Sequence, residues 1–152
     1  MLKDMLKPEF VFTNVDVEGN EKSQAMKKIS ILCSEHSDID TDELFSAFIA
    51  REEMDSTGFG SGVAIPHAKI KGLTSPMVAV IKFKQEIDWE AIDDQPVKVA
   101  IALVMPNSDE DNTHLQVISR FARLLVNDEF VNNLKGSTDS EELYNFIIKE
   151  VV

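Results

Sequence analysis

Residues 9–17, EFVFTNVDV, alternate loosely through Phe10, Phe12 and Val15, the period of an opening strand. After Gly19-Asn20 the spacing changes. Residues 21–35 bring Ala25, Ile29, Leu32 and Cys33 to one face at helical spacing. A second helix is predicted from Asp40, which stands in capping-box spacing with Glu43, to about Met54, with Leu44, Phe45, Phe48 and Ile49 inward. GVAIP, residues 62–66, reads as a short strand that Pro66 brings to a stop. In residues 77–84, MVAVIKFK, one face carries Met77, Ala79, Ile81 and Phe83, while the other turns to lysine, as in a strand near a sheet margin. Residues 97–105, VKVAIALVM, are apolar on both faces and predict a central strand covered on both sides. Helical spacing returns through Leu115, Ile118, Ala122 and Leu125. Two shorter helices follow, with Asp128 and Asp139 as caps and Leu143, Phe146 and Ile147 inward.

A doubly covered strand among helices predicts an α/β fold: a mixed β-sheet with helices packed on both faces, an α/β sandwich. No linker or repeat interrupts the 152 residues, so one domain spanning 1–152 is expected. No apolar run reaches the roughly 20 residues of a membrane span, and the start, MLKDMLKPEF, has no apolar signal core. The single cysteine, Cys33, excludes an internal disulfide and suits a reducing compartment. A cytoplasmic chain without direct membrane insertion is the expectation. Net charge is −12, from 27 acidic against 15 basic residues. Such a chain repels phosphate backbones and anionic lipid, which argues against nucleic acid and membrane surfaces. A basic protein face would complement it, although solubility alone also accounts for the charge.

The segment REEMDSTGFGSGVAIPHAK, residues 51–69, carries the candidate chemistry. Its glycines precede a strand, with the wrong spacing for a dinucleotide fingerprint, and no Walker lysine and hydroxyl follow. Gly58, Gly60 and Gly62 can still turn the backbone through positive φ and point N–H groups into one concavity that holds an anion. Ser56 and Thr57 add hydroxyls at its edge, and Arg51 a guanidinium. An irregular turn into a strand is the plainer reading. His67, after the strand-ending proline, is expected at a strand mouth, where a neutral imidazole could attack a phosphoryl group; a merely hydrogen-bonded histidine is the alternative. Asp111 or Asn112 can cap a helix whose first turn holds His114, among donors that favour an anion. His36 shares a helical face with Cys33, but two ligands are too few for structural zinc. Cys33 is read as core and His36 as surface.

The stretch from Arg51 to His67, with its core Thr-Gly-x-Gly-x-Gly-x-Ala-x-Pro-His, resembles the signature of enzyme IIA proteins of the bacterial phosphoenolpyruvate-dependent sugar phosphotransferase system, in their fructose, mannitol and nitrogen-regulatory class. The likeness continues in IDWEAIDDQPVKVAIALVMP and in HLQVISRFARLLVNDEF, and covers most of the chain from about residue 10. Phe59 and Val63 stand where the family more often has isoleucine. The resemblance implies an α/β sandwich and a phosphoryl relay that needs no metal and no cofactor. His67 would take a phosphoryl group from the histidine-containing phosphocarrier protein and pass it to a cysteine of an enzyme IIB partner on a separate chain. His114 matches the family's second active-site histidine, and Arg51 the arginine beside it. Fructose-type transport is the preferred branch; the alternative is a nitrogen-branch module whose phosphorylation state switches protein binding.

Overall fold

The computed structural model describes residues 2–108 and 113–151. In chain order the elements are α1 (Leu2–Met5), β1 (Leu6–Val15), α2 (Lys22–Glu35), α3 (Thr41–Met54), β2 (Gly58–Gly60), β3 (Val63–Ala64), β4 (His67–Ile70), β5 (Met77–Ile87), β6 (Val97–Pro106), α4 (Thr113–Leu125), α5 (Asp128–Gly136) and α6 (Ser140–Val151). None of these helices is long and apolar enough to cross a membrane.

The strand β6 sets the architecture. Its alternate side chains enter two separate cores. Ala100, Ala102 and Val104 pack with Ala25, Ile29, Cys33, Leu44 and Phe48 of α2 and α3. Val99, Ile101, Leu103 and Met105 pack with Val117 and Phe121 of α4, Leu134 of α5, and Leu143 and Ile147 of α6. A strand apolar on both faces demands cover on both, and the two helical layers supply it. The order across the sheet is β1-β5-β6-β3-β2, with β4 also paired to β6. β1 runs parallel to β5, β5 antiparallel to β6, β3 and β4 parallel to β6, and β2 antiparallel to β3. The sheet is mixed, and the fold is the α/β sandwich expected from the apolar pattern.

Three sequence expectations need correction. First, β5 lies between β1 and β6 rather than near a margin. Its lysine has another cause: Lys82 is buried, and its Nζ donates to the carbonyl of Ser137, just beyond the end of α5. A cation is favoured there because a helix leaves its last carbonyls unpaired and partially negative. Second, β3 ends before Pro66 as expected, but pairing with β6 resumes beyond it as β4. Val63 pairs with Val99, Ala64 with Ala100, and, in the same register, His67 with Leu103. Proline only removes one donor, and its own carbonyl accepts from the N–H of Leu103 at 2.9 Å. Third, Leu115 does not face the core. The buried stripe of α4 is Val117, Phe121 and Leu125, while Leu115 is 55% exposed.

The helix ends follow their polar residues. Asp40 accepts from the N–H of Glu43 at 2.9 Å, and Asp139 accepts from Glu142 at 3.4 Å. At α5 the cap is Asn127, which accepts from Glu129 and Phe130; Asp128 sits one residue inside, in the first turn. The cap expected of Asp111 or Asn112 lies outside the described residues.

On α3 the buried stripe Leu44-Phe48 continues into a charged residue, Glu52, with a side chain 4% exposed. Its Oε1 accepts from the N–H of Thr57 at 2.9 Å, from Trp89 Nε1 at 3.0 Å and from Ser56 Oγ at 3.2 Å, and lies 3.4 Å from Lys22 Nζ. Its Oε2 accepts from the Thr57 hydroxyl. One carboxylate therefore ties α3 to the start of α2, to the turn before β2 and to the segment after β5. Removing it strands several buried donors, each costly to leave unpaired. Glu52→Ala is expected to cost about 3 kcal/mol in urea denaturation, with the m-value unchanged. A loss under about 0.5 kcal/mol would show that the network is not stabilising.

Candidate functional site

His67 opens β4 with its ring half-buried, and its Nδ1 lies 2.9 Å from the carbonyl of Ile65, two residues earlier. A carbonyl only accepts, so Nδ1 carries the proton and the free lone pair is left on Nε2. Burial lowers the pKa of the ring below the ordinary imidazole value, and the nearby Arg51 and His114 lower it too. The Ile65 carbonyl and Glu52 oppose part of that shift. The result is a neutral imidazole at neutral pH, oriented by a backbone bond and nucleophilic at one nitrogen.

His114 stands in the first turn of α4, as expected, with its ring centroid 6.5 Å from that of His67 and the ring planes at 36°. Arg51 comes from the last turn of α3, where its Nη1 donates to the carbonyl of Asp55 at 2.8 Å and so fixes the guanidinium against the helix end. These three side chains share one cleft of about 490 Å³, lined also by Ala47, Ala50 and Met54 of α3, Ala68 and Lys69 of β4, and Met105 of β6. The walls are largely apolar, and the cationic groups Arg51 and Lys69 stand beside a neutral nitrogen. Such a site suits a transferable dianion, for which little is required beyond positioning and charge stabilisation.

Ser56, Thr57, Gly58, Gly60 and Gly62 do not line that cleft. Ser56 and Thr57 direct their hydroxyls to Glu52, and Ser56 also to the carbonyl of Glu90. Gly58 passes so close to the neighbouring chain that a Cβ would fall 2.1 Å from the Glu90 oxygen. From Gly60 to Gly62 the backbone runs through three positive φ values, 116°, 57° and 78°, with Ser61 between the glycines. One N–H of that turn meets an anion, and the anion is the protein's own. The Ser61 N–H donates to Asp93 Oδ2 at 2.9 Å, and the Asp93 carboxyl lies below the usual carboxylate range because the backbone N–H groups of Ser61 and Gln95 stabilise its charge.

Glu52 and Asp93 are the site-supporting residues that pattern reasoning passed over. For Glu52 a signal existed, since it continues the buried spacing of Leu44 and Phe48. For Asp93 there was none, because its partner lies 32 residues away. Cys33 is fully buried, and burial pushes its thiol up to about 12, which leaves it inert as a nucleophile. His36 is exposed, with its ring 6.2 Å from Phe10 and 6.4 Å from Phe12. Among the described residues no group of three or more His, Cys, Asp or Glu is placed to hold a metal ion.

Comparison with known proteins gives this arrangement a context. Residues 4–150 match the family model described as phosphoenolpyruvate-dependent sugar phosphotransferase system, EIIA 2. The chain is 35% identical to the nitrogen regulatory protein of Escherichia coli K12 over 136 residues, 89% of this chain and 83% of that protein. It is 33% identical to the PTS system fructose-like EIIA component of the same organism over 128 residues, 83% of this chain and 86% of that one. Among solved structures, nitrogen regulatory protein IIA-Ntr from Neisseria meningitidis superposes with a TM-score of 0.85 at 25% identity, covering 96% of this chain and 98% of that one. The enzyme IIAMTL of Escherichia coli, solved in complex with phosphorylated enzyme IIBMTL, shares the fold at a TM-score of 0.75 and 16% identity, over 95% of this chain and 99% of that one. The chain therefore belongs to the EIIA type 2 family of the phosphoenolpyruvate-dependent sugar phosphotransferase system.

Proposed function

We propose that this chain is a cytoplasmic phosphoryl carrier and that His67 is the residue phosphorylated, at Nε2. The observation that carries this reading is the bond from His67 Nδ1–H to the Ile65 carbonyl, which leaves Nε2 facing the cleft of Arg51 and His114. In the relay, the Nε2 lone pair attacks the phosphorus of a phosphohistidine on the histidine-containing phosphocarrier protein. As the new N–P bond forms, the old one breaks and its electron pair returns to the carrier's imidazole. Nδ1 keeps its proton throughout, and the Ile65 carbonyl stabilises the charge that the phosphorylated ring acquires. Arg51 and His114 offer donors to the equatorial oxygens of the group in flight. A cysteine thiolate of an enzyme IIB partner then takes the phosphoryl group from Nε2 in the same sense. The phosphoimidazole itself holds the transfer potential, so the relay calls on no nucleotide, metal or other cofactor.

The hydroxyls and glycines from Ser56 to Gly62 are given a supporting part. They pin the turn that precedes β3 and β4, and through it the ring of His67, rather than touching the group. In the lining of the cleft, Met54 is 80% exposed. Together with Ala47 and Ala50 it forms an apolar rim that a partner would cover, excluding water from a phosphoryl group that water would otherwise take. A second reading, regulation through the phosphorylation state, is favoured by the likeness to nitrogen regulatory proteins.

Incubated with phosphoenolpyruvate, enzyme I and the carrier, the protein should gain one acid-labile phosphoryl group by intact mass, and His67→Ala none; a variant that still gains it would displace His67. Protonation removes the lone pair, and the ring's pKa lies below the ordinary value of about 6.5. The acceptance rate, corrected for the carrier's own profile, should therefore fall on acidification with a midpoint below about 6.5. A midpoint above that value would contradict a neutral, desolvated nucleophile. Loss of the label to a cysteine of fructose-type enzyme IIB within seconds would favour transport. A stable label with altered protein binding would favour regulation.

A further inference from the structure

At the end of the sheet away from His67, lysines gather in a chain whose net charge is −12. Lys82 and Lys84, two residues apart on one face of β5, Lys98 near the start of β6 and Lys135 in the last turn of α5 line a single cleft of about 420 Å³. No aspartate or glutamate lines it, and the hydroxyls of Thr13 and Thr138 do. Lys98 lies five residues before Leu103, the partner of His67 across the sheet, which is roughly 17 Å along an extended strand. This is a different place from the His67 cleft, and the relay makes no use of it.

The ammonium groups are only partly occupied. Lys82 Nζ donates to the carbonyl of Ser137, and Lys98 Nζ to the carbonyl of Lys84 at 2.8 Å. Each ammonium has three protons to give, so each keeps donors to spare. None of the four is within ion-pair distance of a carboxylate among the described residues, although Lys135 feels the charge of Asp93 beyond Gly62. Burial and the neighbouring Lys98 both lower the pKa of Lys82. The cluster is therefore electrostatically uncomfortable when empty, and an anion would relieve it.

We propose that the cleft between the start of β6 and the end of α5 is a binding site for a small phosphorylated molecule, held by Lys84, Lys98 and Lys135 with Lys82 behind them and the threonine hydroxyls at the sides. Lysine ammonium groups act as compact point charges that can meet phosphate oxygens from several directions. The cleft has the size of a small-ligand pocket. The acidic surface elsewhere repels an extended polyanion, which argues for a small ligand over nucleic acid or an acidic protein.

Pyrophosphate is the probe, titrated into the intact protein by calorimetry and by backbone amide spectra with ionic strength held constant by sodium chloride. Saturable binding is expected, with shifts at Thr13, Lys98 and Ser137. The variant Lys84→Gln/Lys98→Gln, altered at two side chains outside the core, should bind roughly tenfold or more weakly. His67→Ala should bind as tightly as the wild type. A response to ionic strength alone would overturn the proposal, as would unchanged affinity in the lysine variant. So would loss of binding in His67→Ala, which would move the probe to the relay cleft. Saturable binding of polyglutamate but not of pyrophosphate would assign the cleft to an acidic protein instead.

Discussion

The carboxylate of Glu52 is the interaction through which the site is built. Donors from Thr57, Ser56, Trp89 and Lys22 converge on it, out of three separate segments of the chain. An acid at that depth is tolerable only because nearly all its lone pairs are engaged and one partner is a cation. The same convergence clamps the last turn of α3, which bears Arg51, to the turn that leads into β3 and β4, which bears His67. Geometry in the cleft is thus inherited from a network that never touches it.

Charge is sorted with similar economy. At the His67 cleft, burial and nearby positive groups keep an imidazole neutral, while its Nδ1–H is donated to a backbone oxygen. In the glycine turn, the N–H of Ser61 is satisfied internally by Asp93. At the far end of the sheet, Lys82 answers the open carbonyls of α5. Each is one rule with a different partner: a partial charge left by the backbone is met by a side chain of opposite sign.

Local regularities made much of this legible in the sequence. The unbroken apolar run of β6 requires cover on both faces, and that requirement alone implies the sandwich. Helices α2 and α3 follow from spacing and from Asp40. The candidate site was legible through its motif, and the structure brings Arg51, His67 and His114 into one cleft. What stayed hidden depends on partners distant in sequence. Lys82 looks like an edge lysine until Ser137, 55 residues on, is placed above it. Leu115 fits a helical stripe as well as Val117 does, and only packing decides which of them is inward. Pro66 reads as a stop, because a missing donor is visible in a sequence while a preserved register is not.

That preserved register has a dynamic consequence. His67 belongs to a sheet strand paired with the most buried strand of the fold, not to a loop that could swing. A side chain on a loop can travel between two partners; a strand residue is held by its pairing. In the proposed relay the chain would then act as a stationary terminal. Donor and acceptor would have to occupy the same apolar rim in turn, each excluding the other, so throughput would depend on how quickly one leaves rather than on any closing motion here. Tight binding to either partner would slow the flow, and the small, weakly polar rim of Ala47, Ala50 and Met54 is suited to brief encounters.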